Sequence, residues 1–224
     1  MTDTAALDLA SLLCSRLCHD MLSPVGALSN GLELLRDEKD PEMRKRCMEL
    51  LEQSAKASAD KLKFFRLAFG AAGGFGQMVP VHEARALIAA LIGDSGRITL
   101  DWTVSSEELP KAAVKTLLNL AAIGIEALVR GGTLEVGAEL TGGETGGASG
   151  SGGASEIVIR AVGPRIAFDQ TIGQALDGSL PLGDLSSRTA PAAMIQQLAA
   201  SVGGGVQWHH GEDALVMGAV LPRA

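Results

Sequence analysis

The chain has 224 residues, of which 46% are hydrophobic, 28 are Gly and three are Cys, with a formal net charge of −7. A mean hydropathy of +0.22 supplies apolar material for a core and excludes global disorder, and the acidic balance excludes sequence-independent nucleic-acid binding, which needs clustered Lys and Arg. No apolar run reaches the roughly 18 residues of a membrane-spanning helix.

The opening Met1-Thr2-Asp3-Thr4 lacks the basic and apolar stretches of a signal peptide. Three cysteines are too few for a disulfide framework, so a cytoplasmic location without membrane or nucleic-acid partners is expected. The glycines divide the chain: only Gly26 and Gly31 lie in residues 1–69, and the other 26 lie from Gly70 onward. Residues 1–69 carry 10 Lys and Arg against 11 Asp and Glu, and the remainder 9 against 15. A helical domain over 1–72 and a Gly-rich strand-and-loop domain over 77–224 are expected.

From Leu7 to Arg36, Leu13, Leu17, Met21, Val25, Leu28, Leu32 and Leu35 recur at spacings of three or four and predict one amphipathic helix. Pro24 inside it should kink the helix or loosen the preceding turn, because it removes a backbone donor. Asp40-Pro41 then reads as an N-cap followed by Pro at the first helical position. The second helix runs to about Phe69 with the stripe Met43, Cys47, Leu50, Leu51, Ser54, Ser58, Leu62, Phe65 and Phe69, and Gly70 is its expected stop. Cys14 and Cys18 read as small buried hydrophobes. A lone helical hairpin cannot enclose its stripe, so two copies are expected to pair into a four-helix bundle.

Residues 71–76 read as a linker. Beyond it the pattern predicts helices over Val81–Ile92, Pro110–Val129 and Ala190–Val202. Strands are predicted over Ile98–Val104, Thr133–Leu140, Glu156–Val162, Val206–Trp208 and Leu215–Leu221. Thr141–Ser155, with seven glycines and no large side chain, reads as a hairpin loop; it lacks the GKS/T or GxGxxG pattern of a phosphate cradle and enters no helix. The run His209-His210-Gly211-Glu212-Asp213 reads as a polar turn, since adjacent strand residues face opposite ways and make a poor metal site. The second segment is mixed, a sheet covered by helices, and the whole is α+β.

At about 100° per residue, the stripe of the first helix centres near 40° when Leu17 is zero, and His19 falls near 200°. Its neighbours there, Ser15, Ser23, Gly26 and Asn30, are small, so the ring should project into solvent from a surface that another protein can approach. An exposed imidazole can act as acid or base, metal ligand or nucleophile. Ser15, Leu22 and Ser23 occupy the helical neighbour positions, which disfavours a metal. Asp20 is placed as an acidic helper.

The stretch His19-Asp20-Met21-Leu22-Ser23-Pro24 resembles the phosphoacceptor motif of sensor histidine kinases: His, an acid, then Ser or Thr and Pro early in a helical hairpin. Val114–Leu120 resembles the helix that carries a magnesium-binding asparagine in that family, but Ile123 stands where the asparagine belongs. Ile157–Ile166 resembles the strand that ends in an adenine-reading aspartate and a Gly-x-Gly turn. Here Ala161 occupies the aspartate position and Arg165 the second glycine, where its side chain is expected to fill the space glycine would leave. Ser186-Ser187-Arg188 stands where a glycine-rich phosphate loop is expected.

Together with Arg16-Leu17-Cys18-His19-Asp20, Arg66–Gly70 and Leu117–Ala121, this combination resembles the ChpT-type histidine phosphotransferases. The resemblance implies a four-helix bundle made by a homodimer, followed by an α/β sandwich resembling a histidine kinase ATPase domain that binds no ATP. It implies a phosphorelay, with a place in cell-cycle regulation, from the receiver domain of a hybrid histidine kinase to His19 and on to downstream response regulators. Mg²⁺ would be supplied by the partner receiver, with no cofactor or metal bound by this chain. Asp20 would hydrogen-bond or help deprotonate the ring, Ser23 would lie near the attacking oxygen, and Arg16, Leu22, Gly26 and Asn30 would meet the partner. The alternatives are a fragment of an ATP-dependent sensor histidine kinase and a non-catalytic dimeric adaptor.

Overall fold

The computed structural model describes residues 3–70, 77–142 and 153–222. The expected linker, 71–76, and most of the expected glycine loop, 143–152, lie outside the described residues. Helices α1 (Asp3–Asp37) and α2 (Pro41–Ala68) form the predicted antiparallel hairpin. Asp40 caps α2 by accepting the Glu42 N–H at 2.9 Å, with Pro41 at the position where a missing donor costs least.

Helix α1 runs uninterrupted through the buried Pro24. Proline at this position leaves the carbonyl of Asp20, four residues earlier, without its helical donor. The Lys61 Nζ of α2 supplies one, donating to that carbonyl at 2.8 Å. The expected loosening of this turn is thus replaced by a staple between the two helices.

The apolar stripes are only half covered. On α1, Leu9 is buried, and Leu12, Leu13, Leu17 and Met21 pack against the core, whereas Leu7, Val25 and Leu32 stay exposed. Cys14 and Cys18, expected to be buried, are exposed. Leu7, Cys14, Cys18, Val25 and Leu32 fall within about 40° of one another on the helix, a strip beside the face that α2 covers. On α2, Cys47, Leu51, Phe64, Phe65, Leu67 and Ala68 are buried, while Met43, Leu50 and Leu62, placed on the inward stripe by periodicity, are exposed. A stripe of 100° or more, roughly, is wider than one neighbouring helix can hide.

The second part contains β1 (Met78–Pro80), α3 (Val81–Ile92), β2 (Ile98–Val104), β3 (Glu108–Pro110), α4 (Lys111–Ala127), β4 (Gly132–Thr141) and β5 (Ala154–Val162). It continues with α5 (Gln170–Asp177), α6 (Ala190–Ser201), β6 (Gly205–His210) and β7 (Ala214–Pro222). Five strands form a mixed sheet in the order β2-β4-β5-β7-β6, with β2 and β4 parallel and the other pairs antiparallel; β1 and β3 make a separate two-stranded ribbon. Leu134, Val136, Ile157, Ile159, Ala161, Leu215 and Met217 point to the buried face. On the other face Glu135 and Arg160 pair across the β4–β5 ladder at 2.8 Å. This is the period-two alternation of a sheet covered on one side.

Helix α4 lies on the covered face. A Cβ on Gly124 would stand 2.7 Å from Leu134 Cδ1 and 3.3 Å from Ile159 Cγ2, so the helix approaches the sheet more closely than alanine allows. The core is continuous from this sheet through α4 to Leu9, Phe64, Phe65, Leu67 and Ala68 of the hairpin.

Two features depart from the sequence reading of this part. Helix α5 has a mid-helix Gly173 that weakens its pattern; the glycine is required because the Trp208 indole packs directly on it. His209 and His210 belong to β6, opposite Val216 and Leu215 of β7, and the turn begins only at Gly211. The His210 ring packs edge-on against Phe168 at 5.6 Å.

Lys61→Met leaves the Asp20 carbonyl without a donor, and denaturant unfolding should register a loss of about 1–2 kcal/mol. In a Pro24→Ala background the restored N–H takes over the carbonyl, and the same lysine change should cost less than about 0.5 kcal/mol.

Candidate functional site

His19 stands on α1 with 81% of its side chain exposed, as its position opposite the stripe predicts. Its Nδ1 lies 3.1 Å from Asp20 Oδ1. In the tautomer this contact selects, Nδ1–H donates to the carboxylate and Nε2 keeps its lone pair, facing outward. Asp20 is far less exposed, at 19%. Its other oxygen, Oδ2, accepts from Arg16 Nε at 2.7 Å, and the Arg16 Nη2 is paired in turn with Glu126 Oε1 of α4.

Burial works against the charge of Arg16, but Glu126 and then Asp20 outweigh it, so the guanidinium is held above its usual pKa. Arg16 makes both of these pairs within the chain and also lines the groove beside His19. Leu22, at 71% exposure, is open to solvent, as is Asn30; a Cβ on Gly26 would meet nothing within 4 Å. Ser23 is exposed on the same helix.

Three residues that sequence reasoning did not assign to the site converge on it. Glu126 and Lys61 arrive from α4 and α2. Arg188, in the turn before α6, lines with Ser187 a groove shared with Arg16, His19, Asp20 and Glu126. Arg188 is steadied by Asp169 Oδ2 at 3.1 Å. The Asp169 carboxyl is itself held below its usual pKa by the Thr171 backbone N–H, then by the Thr171 hydroxyl and more weakly by Arg188. The turn bearing Arg188 is closed by Ser186 and Thr189, whose backbone and hydroxyl groups bond one another at 2.9–3.3 Å.

Behind this groove a cavity of about 250 Å³ lies between α2 and α4; Phe64 and Phe65 line it from α2, Phe69 from just beyond the end of α2, Asn119 and Ile123 from α4, and Ile172 from α5. Phe65 and Phe69 stack at 5.4 Å between ring centroids. Asn119, 2% exposed, donates to the Lys115 carbonyl at 2.8 Å and to the Ala68 carbonyl at 3.3 Å, tying α4 to the end of α2. Ala161 is fully buried in the sheet. Arg165, expected to fill the space of a glycine, instead projects into solvent. Among the described residues, no group of three or more His, Cys, Asp or Glu is arranged to hold a metal ion, and no helix is long and apolar enough to cross a membrane.

Residues 81–214 match the family model of the histidine phosphotransferase C-terminal domain. A curated relative, "Protein phosphotransferase ChpT" of Brucella abortus (strain 2308), is 42% identical over 132 residues. That match covers 59% of this chain and 61% of the relative's length. Among solved structures, "1.7 Angstrom Structure of a Bacterial Phosphotransferase" superposes with a TM-score of 0.77 and 31% identity over 96% of both chains. The "Acinetobacter baumannii histidine kinase AdeS" aligns with a TM-score of 0.44 and 12% identity over 91% of this chain and 97% of that one. With its helical hairpin, one-sided mixed sheet and match over more than half its length, the chain belongs to the histidine phosphotransferase C-terminal domain family, as a ChpT-type protein.

Proposed function

We propose that the chain is a histidine phosphotransferase in which His19 receives a phosphoryl group from the receiver domain of a hybrid histidine kinase and passes it to the aspartate of a response regulator. The observation that carries this reading is an 81% exposed imidazole whose Nδ1 is 3.1 Å from Asp20, leaving Nε2 outward. The Nε2 lone pair attacks the phosphorus of the partner's aspartyl phosphate. A nitrogen–phosphorus bond forms, the phosphorus–oxygen bond to the carboxyl breaks, and its electron pair leaves on the partner's aspartate. The ring becomes cationic while Nδ1–H stays bonded to Asp20, whose charge stabilises it. Transfer onward is the same displacement in reverse.

Such a transfer is catalysed chiefly by position and charge. The receiver would bring Mg²⁺, and this chain the nucleophile and its orientation. Leu22, Gly26 and Asn30 would meet the receiver, and Ser23 would lie near the transferring group. The division into a hairpin domain, 1–72, and a second domain, 77–224, belongs to the same proposal. ATP would not bind: Ala161 offers no carboxylate to the adenine amino group and Ile123 no ligand to a metal. The exposed strip Leu7, Val25 and Leu32 on α1, with Met43, Leu50 and Leu62 on α2, supports a homodimer that closes into a four-helix bundle.

A phosphorylated receiver domain should label the wild-type chain, and His19→Ala should abolish labelling; a His19→Ala chain that still accepts and passes phosphate excludes the proposal. ATP alone should label neither. The paired change Val25→Glu and Leu32→Glu should shift the chain from dimer to monomer in sedimentation equilibrium. A wild-type monomer would refute the bundle.

A further inference from the structure

We propose that Glu126 is a positioning residue for His19, acting across the two parts of the molecule through Arg16 and Asp20; this rests on the phosphoacceptor reading above. The imidazole itself is 81% exposed and has little around it to limit its rotation. Its one hydrogen-bond partner among the described residues is Asp20, so the aim of Nε2 is no better than the aim of that carboxylate. Asp20 divides its oxygens: Oδ1 faces the His19 Nδ1 at 3.1 Å and Oδ2 accepts from Arg16 Nε at 2.7 Å. The arginine bond therefore sets the plane of the carboxylate, and with it the direction in which Oδ1 holds the ring.

Arg16 needs an anchor of its own, because a long side chain on a helix surface gives up rotamer freedom to stay in one place. That anchor is Glu126 Oε1, paired with the Arg16 Nη2. A guanidinium presents Nε and Nη donors in one rigid plane, so it can hold two carboxylates at a fixed mutual geometry, which an ammonium cannot. Arg16 is only 18% exposed, against 44% for Glu126, and the bridge is therefore partly shielded from solvent screening. Glu126 sits near the end of α4, whose residues Val114, Leu117, Leu118, Leu120 and Ala121 are fully buried. The relay thus starts from one of the most deeply buried elements of the fold and ends on one of its most exposed side chains.

The consequence for the reaction is a choice of nitrogen. With Asp20 held, the neutral ring keeps its proton on Nδ1 and offers Nε2. With Glu126 removed, Arg16 swings free, Asp20 loses its fixed plane, and both tautomers and several ring orientations become populated. A nucleophile misplaced by about 1 Å can lose up to ~10²-fold in rate. Removal of a residue two contacts away should cost about tenfold.

The test uses the full chain and two readouts. Long-range ¹H–¹⁵N spectra of the neutral imidazole should show His19 protonated on Nδ1 in the wild type and a mixture of tautomers in Glu126→Ala. Arg16→Lys should reproduce the mixture, because an ammonium cannot hold both carboxylates in one fixed mutual geometry. The rate of transfer from a phosphorylated receiver domain should fall about tenfold in Glu126→Ala and less in Glu126→Gln. In an Asp20→Ala background, Glu126→Ala should change the rate less than about twofold, since the relay is already cut. Glu126→Ala with wild-type tautomer populations and rate overturns the proposal, as does a slowing of equal size with and without Asp20. If His19 proves not to accept phosphate at all, the functional reading fails, and the tautomer spectra still decide the role of Glu126.

Discussion

Helix α4 is packed from both sides: its Gly124 leaves room for Leu134 and Ile159 of the sheet, and its Asn119 donates to the carbonyl that ends α2. A helix held on one face can roll or slide by a fraction of a turn. One held on two faces cannot, and everything attached to it inherits its position. The aromatic side chains of α2, Ile123 and the acidic end of α4 are all placed by this double contact. The hairpin is therefore not a lever hinged freely on a second domain, and its root is one wall of that domain's core.

The site built on this frame combines a fixed base with an open tip. The nitrogen donors behind the histidine are paired within the chain: Lys61 with the Asp20 carbonyl, Arg16 with Asp20 and Glu126, Arg188 with Asp169. The imidazole alone reaches out. On the proposed function, a protein that hands a phosphoryl group between partners has no use for a closed pocket, because the pocket would be completed by each partner in turn. It needs a nucleophile whose direction is settled before the partner arrives.

Much of this was legible in the sequence, and the reasons differ by residue. The exposure of His19 followed from helical phase alone. Helix α3 and strand β2 fall on the predicted bounds because their patterns are long and carry clear stops. Strands β1 and β3, three residues each and ending in proline, are too short to show a period of two. The stripe on the hairpin was visible, but which half of it is covered depends on how α1 and α2 roll against each other; that left Cys14, Cys18, Met43, Leu50 and Leu62 on the outside. That position 161 holds Ala and no carboxylate could be read directly. The gain of one at Glu126 could not, because its partner Arg16 lies 110 residues away and nothing local marks the pair.

The shared core has a bearing on how the molecule comes apart. Both tryptophans, Trp102 in β2 and Trp208 in β6, report on the sheet, whereas the hairpin supplies the longest helices. In a chain of two loosely joined units these reporters would follow separate transitions. Here Phe64, Phe65 and Leu67 are buried among the same side chains as α4, so losing the hairpin opens the core of the sheet and losing the sheet strips the hairpin of its base. Unfolding should then be a single cooperative event, with fluorescence and helical signal lost at one midpoint.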